Sequence, residues 1–287
     1  MAEQILQDFT PPAIIDAIEQ NFIGYTSAYV RASGGQVHEE PELTWLYTGT
    51  LLSYYNSVIR TAITTSDPDA TIKATLAFFQ ARHQRMSWWV MPSTRPRDLI
   101  QRLQTLGLTL GWQDTGMAID LHNLKEPPST PTDLTIERVE DEKTMQDWLR
   151  AFGPGFDLNE EDLASYSRLV TCVPPQQHPI GPFYLARLHG EPVAASALYC
   201  DPRVAGLCEV CTIPSARRQG IGAAITYVPL LDARAMGYRI AVLQASPMGE
   251  PVYRRLGFTS YCTLDAYCWQ PETPLMTKFH DQNRQSW

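Results

Sequence analysis

The second half of the chain alternates between strand-like and helix-like patterns of apolar residues. The segment 134–140 alternates apolar and polar positions, which predicts a short strand, and 141–152 then carries apolar residues at helical spacing. The spacing predicts a second helix over 161–170. Two apolar-rich runs interrupted by a turn predict a hairpin over 183–200.

The alternation continues to the end of the chain. A strand-like segment at 205–213 is followed by a helical face over 221–235, and then by a strand-like segment at 238–246. A short helix is expected over 250–257, with one or two strands over 258–269. Because strands alternate with helices, the sequence predicts an α/β fold whose mixed sheet carries helices on its faces.

A proline-rich segment divides this pattern from the first half. The stretch 123–135 combines prolines with polar residues, a composition typical of linkers. It predicts two domains, an accessory domain over 1–126 and a second domain over 132–287. The first half is less regular, but 103–121 is similar to 253–269, since both contain a Leu-Gly helix ending before a strand.

Composition and charge narrow the class of protein. The chain has 287 residues, 44% of them hydrophobic and 19% charged, as in soluble globular proteins. No apolar run reaches the ~18–20 residues of a membrane helix, and residues 1–12 do not resemble a signal peptide, so we expect a cytoplasmic protein without a membrane partner. The net charge of −8 argues against nucleic acid as a partner. That charge suits an amine substrate, or serves solubility alone.

The six cysteines give no sign of a metal site. Cys208 and Cys211 form a C-x-x-C on a predicted strand, but no second pair or nearby histidine completes a ligand set. We therefore expect buried free thiols and no metal.

The segment RRQGIG, residues 217–222, lies where a predicted strand passes through a tight turn into a helix. The first amides of a helix lack internal partners, and the helix dipole adds partial positive charge there. Glycine lets a ligand approach the backbone, so this turn suits a pyrophosphate, with Arg217 and Arg218 at its rim. Taken alone, a short G-x-G is a weak signal and favours an ordinary turn.

The surrounding run, 210–224, resembles the acyl-CoA-binding motif of the GCN5-related N-acetyltransferases, the GNAT superfamily. The family pattern is arginine or glutamine, two residues, glycine, one residue, then glycine or alanine, and Arg217, Gly220 and Gly222 satisfy it. Pro214 precedes the glycines at the spacing commonly seen in the family.

A second family motif follows in the correct order. The family often shows an asparagine and, seven residues later, a tyrosine in a helix that ends in Leu-Gly-Phe. Tyr253 begins such an ending here, but Ser246 stands where the asparagine is usual. The resemblance covers about 132–270, and it implies the GNAT fold with a mostly antiparallel central sheet flanked by helices.

The resemblance implies acetyl-CoA as co-substrate. The amides from Gln219 to Ala224 would hold the pyrophosphate, and the strand at 210–212 would pair with the pantetheine arm. The implied cofactor-binding residues are Val210, Cys211, Thr212, Arg217, Arg218, Gln219, Gly220, Ile221, Gly222, Ala223, Ala224 and Ser246.

Two residues are candidates for proton transfer. Tyr253 matches the family position of the acid that protonates the leaving thiolate; the alternative is a buried aromatic residue on a short helix. Glu209 stands where the superfamily sometimes places the base that neutralises the amine. Its alternative is an outward-facing glutamate or an ion-pair partner on the sheet. Gln244 and Ser246 could line the pocket or cap the end of their strand.

The expected function is therefore transfer of an acyl group, most simply acetyl, to a primary amine on a small molecule or peptide. A non-catalytic acyl-CoA sensor or partner-binding module is the alternative. The first half contains no R-x-x-G-x-G. It is either a degenerate GNAT-like repeat, with Leu103 in place of Tyr253, or an unrelated α/β cap. It could line the acceptor pocket or pair two subunits in a homodimer.

Overall fold

A computed structural model describes residues 5–271, so residues 1–4 and 272–287 of the predicted domains lie outside it. The helices in the described part are α1 Pro11–Ala32, α2 Pro68–Gln80, α3 Leu99–Thr105, α4 Glu142–Gly155, α5 Glu160–Val170, α6 Ile221–Ala235 and α7 Glu250–Leu256. The strands are β1 Gln36–Glu39, β2 Leu43–Tyr47, β3 Ser57–Thr61, β4 Met86–Val90, β5 Thr109–Asp120, β6 Leu134–Arg138, β7 Phe183–Leu188, β8 Glu191–Cys200, β9 Ala205–Thr212, β10 Ile240–Ala245 and β11 Thr259–Trp269.

The predicted order of elements in the second half is confirmed. Strand β6 precedes the helix pair α4 and α5, the hairpin β7–β8 follows, and β9, α6, β10, α7 and β11 complete the chain. The last predicted segment forms one strand. Within residues 5–271, no helix is both long and apolar enough to span a lipid bilayer.

One compact unit combines residues 5–34 with Thr115–Cys262. Its strands lie in the order β5-β10-β9-β8-β7-β6, with β9 and β10 parallel and the other pairs antiparallel. The apolar faces of α6 and α7 pack on one side of this sheet, around Ile225, Leu243 and Tyr253. Helix α4 packs on β8 and β9, and α1 packs on β9 and β10, both outside that core cluster. They therefore cover the other side.

The second compact unit combines Gly35–Asp114 with residues 263–271. Its strands lie in the order β1-β2-β3-β4-β11-β5, and β3 and β4 are its parallel pair. Large side chains fill its core, among them Phe79 of α2 and Trp88 of β4. The burial of an indole and a phenyl ring of this size supplies much of the apolar area that stabilises so small a unit.

The two halves of the chain share one order of elements. In each, a strand, a helix and a parallel strand are followed by a short helix and a last strand: β3-α2-β4-α3-β5 and β9-α6-β10-α7-β11. The last strand of each half pairs within the other unit, because residues 115–120 pair with β10 and residues 265–269 pair with β4. This shared order supports the interpretation of the first half as a degenerate repeat.

The exchange of last strands changes the expected division of the chain. The compact units do not divide between 126 and 132, because α1 and residues 115–120 pack with the second half. In the same way, residues 263–271 pack with the first half. Each unit is therefore built from two separate stretches of sequence.

We expect the isolated fragment 132–287 to be unable to fold. It lacks the strand at 115–120, whose Met117 and Ile119 are buried in the core of the first unit. Each such side chain contributes about 1.5–3 kcal/mol, against a total stability of about 5–15 kcal/mol for an ordinary domain. Circular dichroism and size-exclusion chromatography of the fragment should show an aggregated or unfolded chain.

The matched control is co-expression of 1–131 and 132–287 as two chains, which restores every strand pair and should give a soluble complex. A soluble 132–287 fragment that unfolds cooperatively by itself would contradict this expectation.

Candidate active site

The parallel strands β9 and β10 separate soon after they meet. They pair at only two positions, Ala205 with Ala241 and Gly206 with Val242, although β9 continues to Thr212. On its other side β9 stays paired with β8 to its end. The backbone of 207–212 therefore has one edge directed into a gap, where an extended, amide-containing ligand can add as a further strand.

A β-bulge lies in β9 beside this gap. Glu209 has φ of 59°, and the register of β9 against β8 shifts at this point. A bulge adds one residue to a strand and re-aims the side chains beyond it. Leu207 and Val210 both pack on the α6 side, although three residues apart they would alternate in a regular strand. Glu209 is turned to the other side of the sheet.

On that side, α1 supplies a partner for the glutamate. The Tyr25 hydroxyl donates a hydrogen bond of 2.5 Å to Glu209 Oε1. One turn further along the helix, the hydroxyls of Tyr29 and Tyr166 lie 3.0 Å apart. Burial raises the pKa of Tyr29 well above its ordinary value, and the nearby Glu209 carboxylate raises it further. The carboxylate therefore lies beside a buried group of tyrosines.

The glycine turn begins α6 as the motif predicts. Gly220 is the N-cap with φ of 83°, a left-handed conformation that favours glycine, and no side chain in the described part of the molecule caps the helix. The first intrahelical bond runs from Ala224 N to Gly220 O at 3.1 Å. Helix geometry therefore leaves the amides of Ile221 to Ala223 without helical acceptors.

The two glycines differ in the space around them. A Cβ at Gly220 would clash with the Ser129 carbonyl oxygen, so the linker lies directly against the turn. A Cβ at Gly222 would meet only Thr212 Oγ1, at 3.6 Å. The backbone at Gly222 is therefore open to a group that approaches from the end of the helix.

Only one of the two arginines lies at the rim, although the sequence predicts this position for both. Arg217 is half-buried, and its guanidinium donates to Thr212 O at 3.0 Å and to Gly155 O at 3.1 Å. Gly155 is the last residue of α4, where a cation also interacts favourably with the helix dipole. Arg217 thus joins the end of β9 to the end of α4, and the exposed Arg218 is the arginine that remains at the rim.

Several predicted cofactor-binding side chains point away from the gap. The Cys211 thiol is 3.8 Å from Ala151 O and packs against α4, and the side chains of Ile221 and Ala224 are buried. Gln219 is exposed and donates weakly to Ser215 O at 3.4 Å. At these positions only the backbone is placed to bind a ligand.

The end of β10 leads into α7, which carries Tyr253. The Ser246 hydroxyl accepts a hydrogen bond of 3.2 Å from Gly249 N, so this residue stabilises the turn before the helix. Glu250 accepts from Thr115 at 3.1 Å and from Arg254 at 2.9 Å, which fixes the first turn of α7. The Tyr253 ring is 7% exposed and packs edge-on against Phe258.

Gln244 also faces the side of the sheet that carries Glu209. Its neighbours Leu243 and Ala245 both belong to the core on the α6 side, and successive residues of a strand alternate. Its buried Nε2 has no hydrogen-bond partner among the residues described. Such atoms are rare in native proteins, and a bound ligand is one way to satisfy them.

The sequence alone does not predict the contact of Tyr25 with Glu209. A signal for Tyr25 itself was present, because Ile14, Ile18, Phe22, Tyr25 and Tyr29 recur at helical spacing and are all buried. No local pattern, however, pairs α1 with a strand that lies far along the chain. The six cysteines are free, and residues 5–271 contain no group of three side chains suited to hold a metal.

In the first half of the chain, backbone hydrogen bonds close the corresponding gap between β3 and β4. Arg95 N donates to Thr61 O at 3.0 Å, and Ile63 N donates to Arg95 O at 3.1 Å, which joins the chain beyond the ends of β3 and β4. The helix between these strands, α2, is capped by its own Asp67, whose carboxylate accepts from Ala70 N. A carboxylate thus occupies the helix end that an anionic ligand would need.

A family model identifies part of this architecture. Residues 179–260, which contain β9, α6 and α7, match the acetyltransferase (GNAT) domain. No curated protein shows significant sequence similarity to the chain.

Solved structures share the fold over most of the chain. A GCN5-related N-acetyltransferase from Kribbella flavida is 21% identical with a TM-score of 0.65, covering 88% of this chain and 96% of its own. One from Sphaerobacter thermophilus is 14% identical with a TM-score of 0.60, covering 75% and 72%. A tandem GNAT protein from the clavulanic acid biosynthesis pathway is 13% identical with a TM-score of 0.54, covering 82% and 78%. At these identities the likeness is one of fold.

We expect the two arginines to respond differently to substitution. Arg217→Ala removes hydrogen bonds from a charged donor to two carbonyl groups, so the free energy of unfolding should fall by about 1–3 kcal/mol. Arg218→Ala should change it by less than ~0.5 kcal/mol, as for most surface positions. The arginine at 218 should instead strengthen CoA binding in a salt-dependent way. Urea unfolding measures the stability of each variant, and calorimetry at two salt concentrations measures its CoA binding. A large stability loss in Arg218→Ala with none in Arg217→Ala would contradict the assignment.

Substitutions at Gly222 test the helix end as the pyrophosphate site. Gly222→Glu puts a carboxylate before the amides that would bind phosphate, so the Kd for CoA should rise at least ~10-fold, or 1.4 kcal/mol. Gly222→Ala is the control, because its Cβ finds room, and its Kd should stay within about threefold of wild type. Equal Kd values for Gly222→Glu and wild type in calorimetric titration would exclude this site.

Proposed function

We propose that this chain, which carries a GNAT acetyltransferase domain over residues 179–260, transfers an acetyl group from acetyl-CoA to a primary amine. The observation that carries the proposal is the combination of two backbone surfaces in the first compact unit. One is the edge of β9 beyond Gly206, and the other is the uncapped start of α6 after Gly220.

These two surfaces suit the two parts of CoA. The amides of Ile221, Gly222 and Ala223 offer hydrogen-bond donors and a positive helix end to the pyrophosphate. The edge at 210–212 offers backbone groups to the amides of the pantetheine arm. Arg217 supports both surfaces, because it fixes the end of β9 immediately before the glycine turn.

The transfer requires two proton movements. An amine must lose a proton to attack the thioester carbonyl, and the sulfur must gain one as the carbon–sulfur bond breaks. We assign the first proton to the Glu209 carboxylate, which the bulge turns out of the α6 core. We assign the second to the hydroxyl of Tyr253 on α7, the helix that follows β10.

The acceptor is a small molecule or peptide with a primary amine. The Glu209 carboxylate and the net charge of −8 favour approach of a cation. The buried Gln244 Nε2, which has no partner among residues 5–271, would donate to a polar group of this acceptor. The expected location is the cytoplasm.

An acceptor screen tests the proposal directly. Full-length protein is incubated with acetyl-CoA and a panel of small amines and peptides, and the release of free CoA thiol is followed. Turnover that depends on an amine supports the transferase. Saturable acetyl-CoA binding without turnover on any amine would instead indicate the non-catalytic sensor.

We expect Tyr253→Phe to lower kcat by roughly 10²- to 10⁴-fold, the usual effect of one acid–base group. The ring and its packing against Phe258 remain, so the Kd for CoA should change little. Tyr238→Phe is the control, because it too removes a tyrosine hydroxyl, one that donates to Asp201 O at 2.9 Å, but lies two residues before β10 begins. An unchanged kcat for Tyr253→Phe would rule out this hydroxyl as the rate-determining acid.

A further inference from the structure

We infer that Tyr25, on the first helix of the chain, is a positioning residue that holds the Glu209 carboxylate in its catalytic orientation. This inference rests on the proposed function, in which Glu209 receives the proton of the amine. It makes α1 a functional part of the transferase, although α1 lies outside residues 179–260.

The contact between the two side chains is short and partly buried. Tyr25 Oη lies 2.5 Å from Glu209 Oε1, the distance of a strong hydrogen bond from a hydroxyl to a carboxylate. Tyr25 is 6% exposed, and Glu209 is half-buried. Such a bond fixes one carboxylate oxygen and therefore limits rotation of the glutamate side chain.

The hydrogen bond matters because the backbone of Glu209 has a strained, left-handed conformation. A non-glycine residue with positive φ is strained by roughly 1–3 kcal/mol and persists where the surroundings hold it. The bulge aims the side chain at α1, and Tyr25 is the hydroxyl donor that it meets there. The bulge and the tyrosine therefore both contribute to the position of the carboxylate.

Tyr25 is in turn held by its neighbours. Its ring packs edge-on against Tyr29 at 5.5 Å and lies 6.4 Å from the ring of Tyr199. Tyr29 is anchored to α5 through the hydroxyl of Tyr166. Contacts other than the bond to the carboxylate therefore hold the Tyr25 hydroxyl in place.

The same helix is also fixed one turn before Tyr25. Asn21 Nδ2 donates to Asp201 Oδ2 at 2.6 Å, and a Cβ at Gly206 would clash with the Asn21 side chain. Helix α1 therefore crosses β9 closely at the point where β9 still pairs with β10. This crossing sets the register that brings Tyr25 to Glu209.

The test is a double-mutant cycle measured on the full-length protein with an amine that it acetylates. Tyr25→Phe removes a hydrogen bond to a charged group, so kcat should fall about 10- to 100-fold with the KM for acetyl-CoA unchanged. In the Glu209→Gln background, Tyr25→Phe should cause no further fall, because the hydroxyl acts only through the carboxylate.

Two further variants separate positioning from stability. Thr26→Val is the matched control, because it removes a buried hydroxyl from the same helix, one that donates to Phe22 O at 2.8 Å, and kcat should stay within about twofold, or ~0.4 kcal/mol. Replacement of Tyr25 by 4-aminophenylalanine keeps a donor at the same end of the ring and should restore most of the kcat that Tyr25→Phe loses. This variant also keeps the test decisive if Tyr25→Phe does not fold.

The outcomes separate the inference from the proposed function. A wild-type kcat in Tyr25→Phe, or equal losses in both backgrounds, would overturn the positioning role while transferase activity stands. An unchanged kcat in Glu209→Gln would remove the base from the proposed mechanism and overturn the role of Tyr25 with it. A wild-type protein that acetylates no amine would overturn both, and the acceptor screen would show this first.

Discussion

The candidate site depends on one constraint, the separation of β9 from β10 after two residue pairs. Parallel strands in a regular sheet would satisfy each other and leave no backbone group for a ligand. Here β9 keeps its hydrogen bonds to β8 and turns one edge toward the gap. The bulge at Glu209 lies in this same stretch, so one irregular segment presents both the binding edge and the carboxylate. A regular strand would supply neither.

The elements around β9 maintain this irregular segment. Arg217 ties the end of the strand to the end of α4, and α1 crosses its beginning at Gly206. The bulge at Glu209 lies between these two fixed ends of the strand. The first half of the chain shows the contrasting arrangement, since hydrogen bonds through Arg95 close its gap and Asp67 caps its helix. Similar topology therefore yields an open site in one unit and a closed one in the other.

The sequence predicts the site where the relevant contacts are local. The glycines at 220 and 222 define a turn and a helix start within a few residues, and the order of strands and helices follows from periodicity alone. The pairing of residues 115–120 with β10 and the bond from Tyr25 to Glu209 join positions more than a hundred residues apart. No local pattern in the sequence predicts such long-range pairs. The inward turn of Arg217 escaped prediction for a related reason, because its acceptor on α4 is distant in sequence.

The exchange of last strands has a consequence for biosynthesis. When the ribosome has made the first half, the edge of β4 still lacks residues 265–269, which are translated long after β4. That edge stays unpaired until β11 has been made, and an exposed strand edge is a template for intermolecular association. Pairing over such a separation in sequence also makes folding slow. Yield in a cell should therefore depend on translation speed and on chaperones that bind unpaired strands.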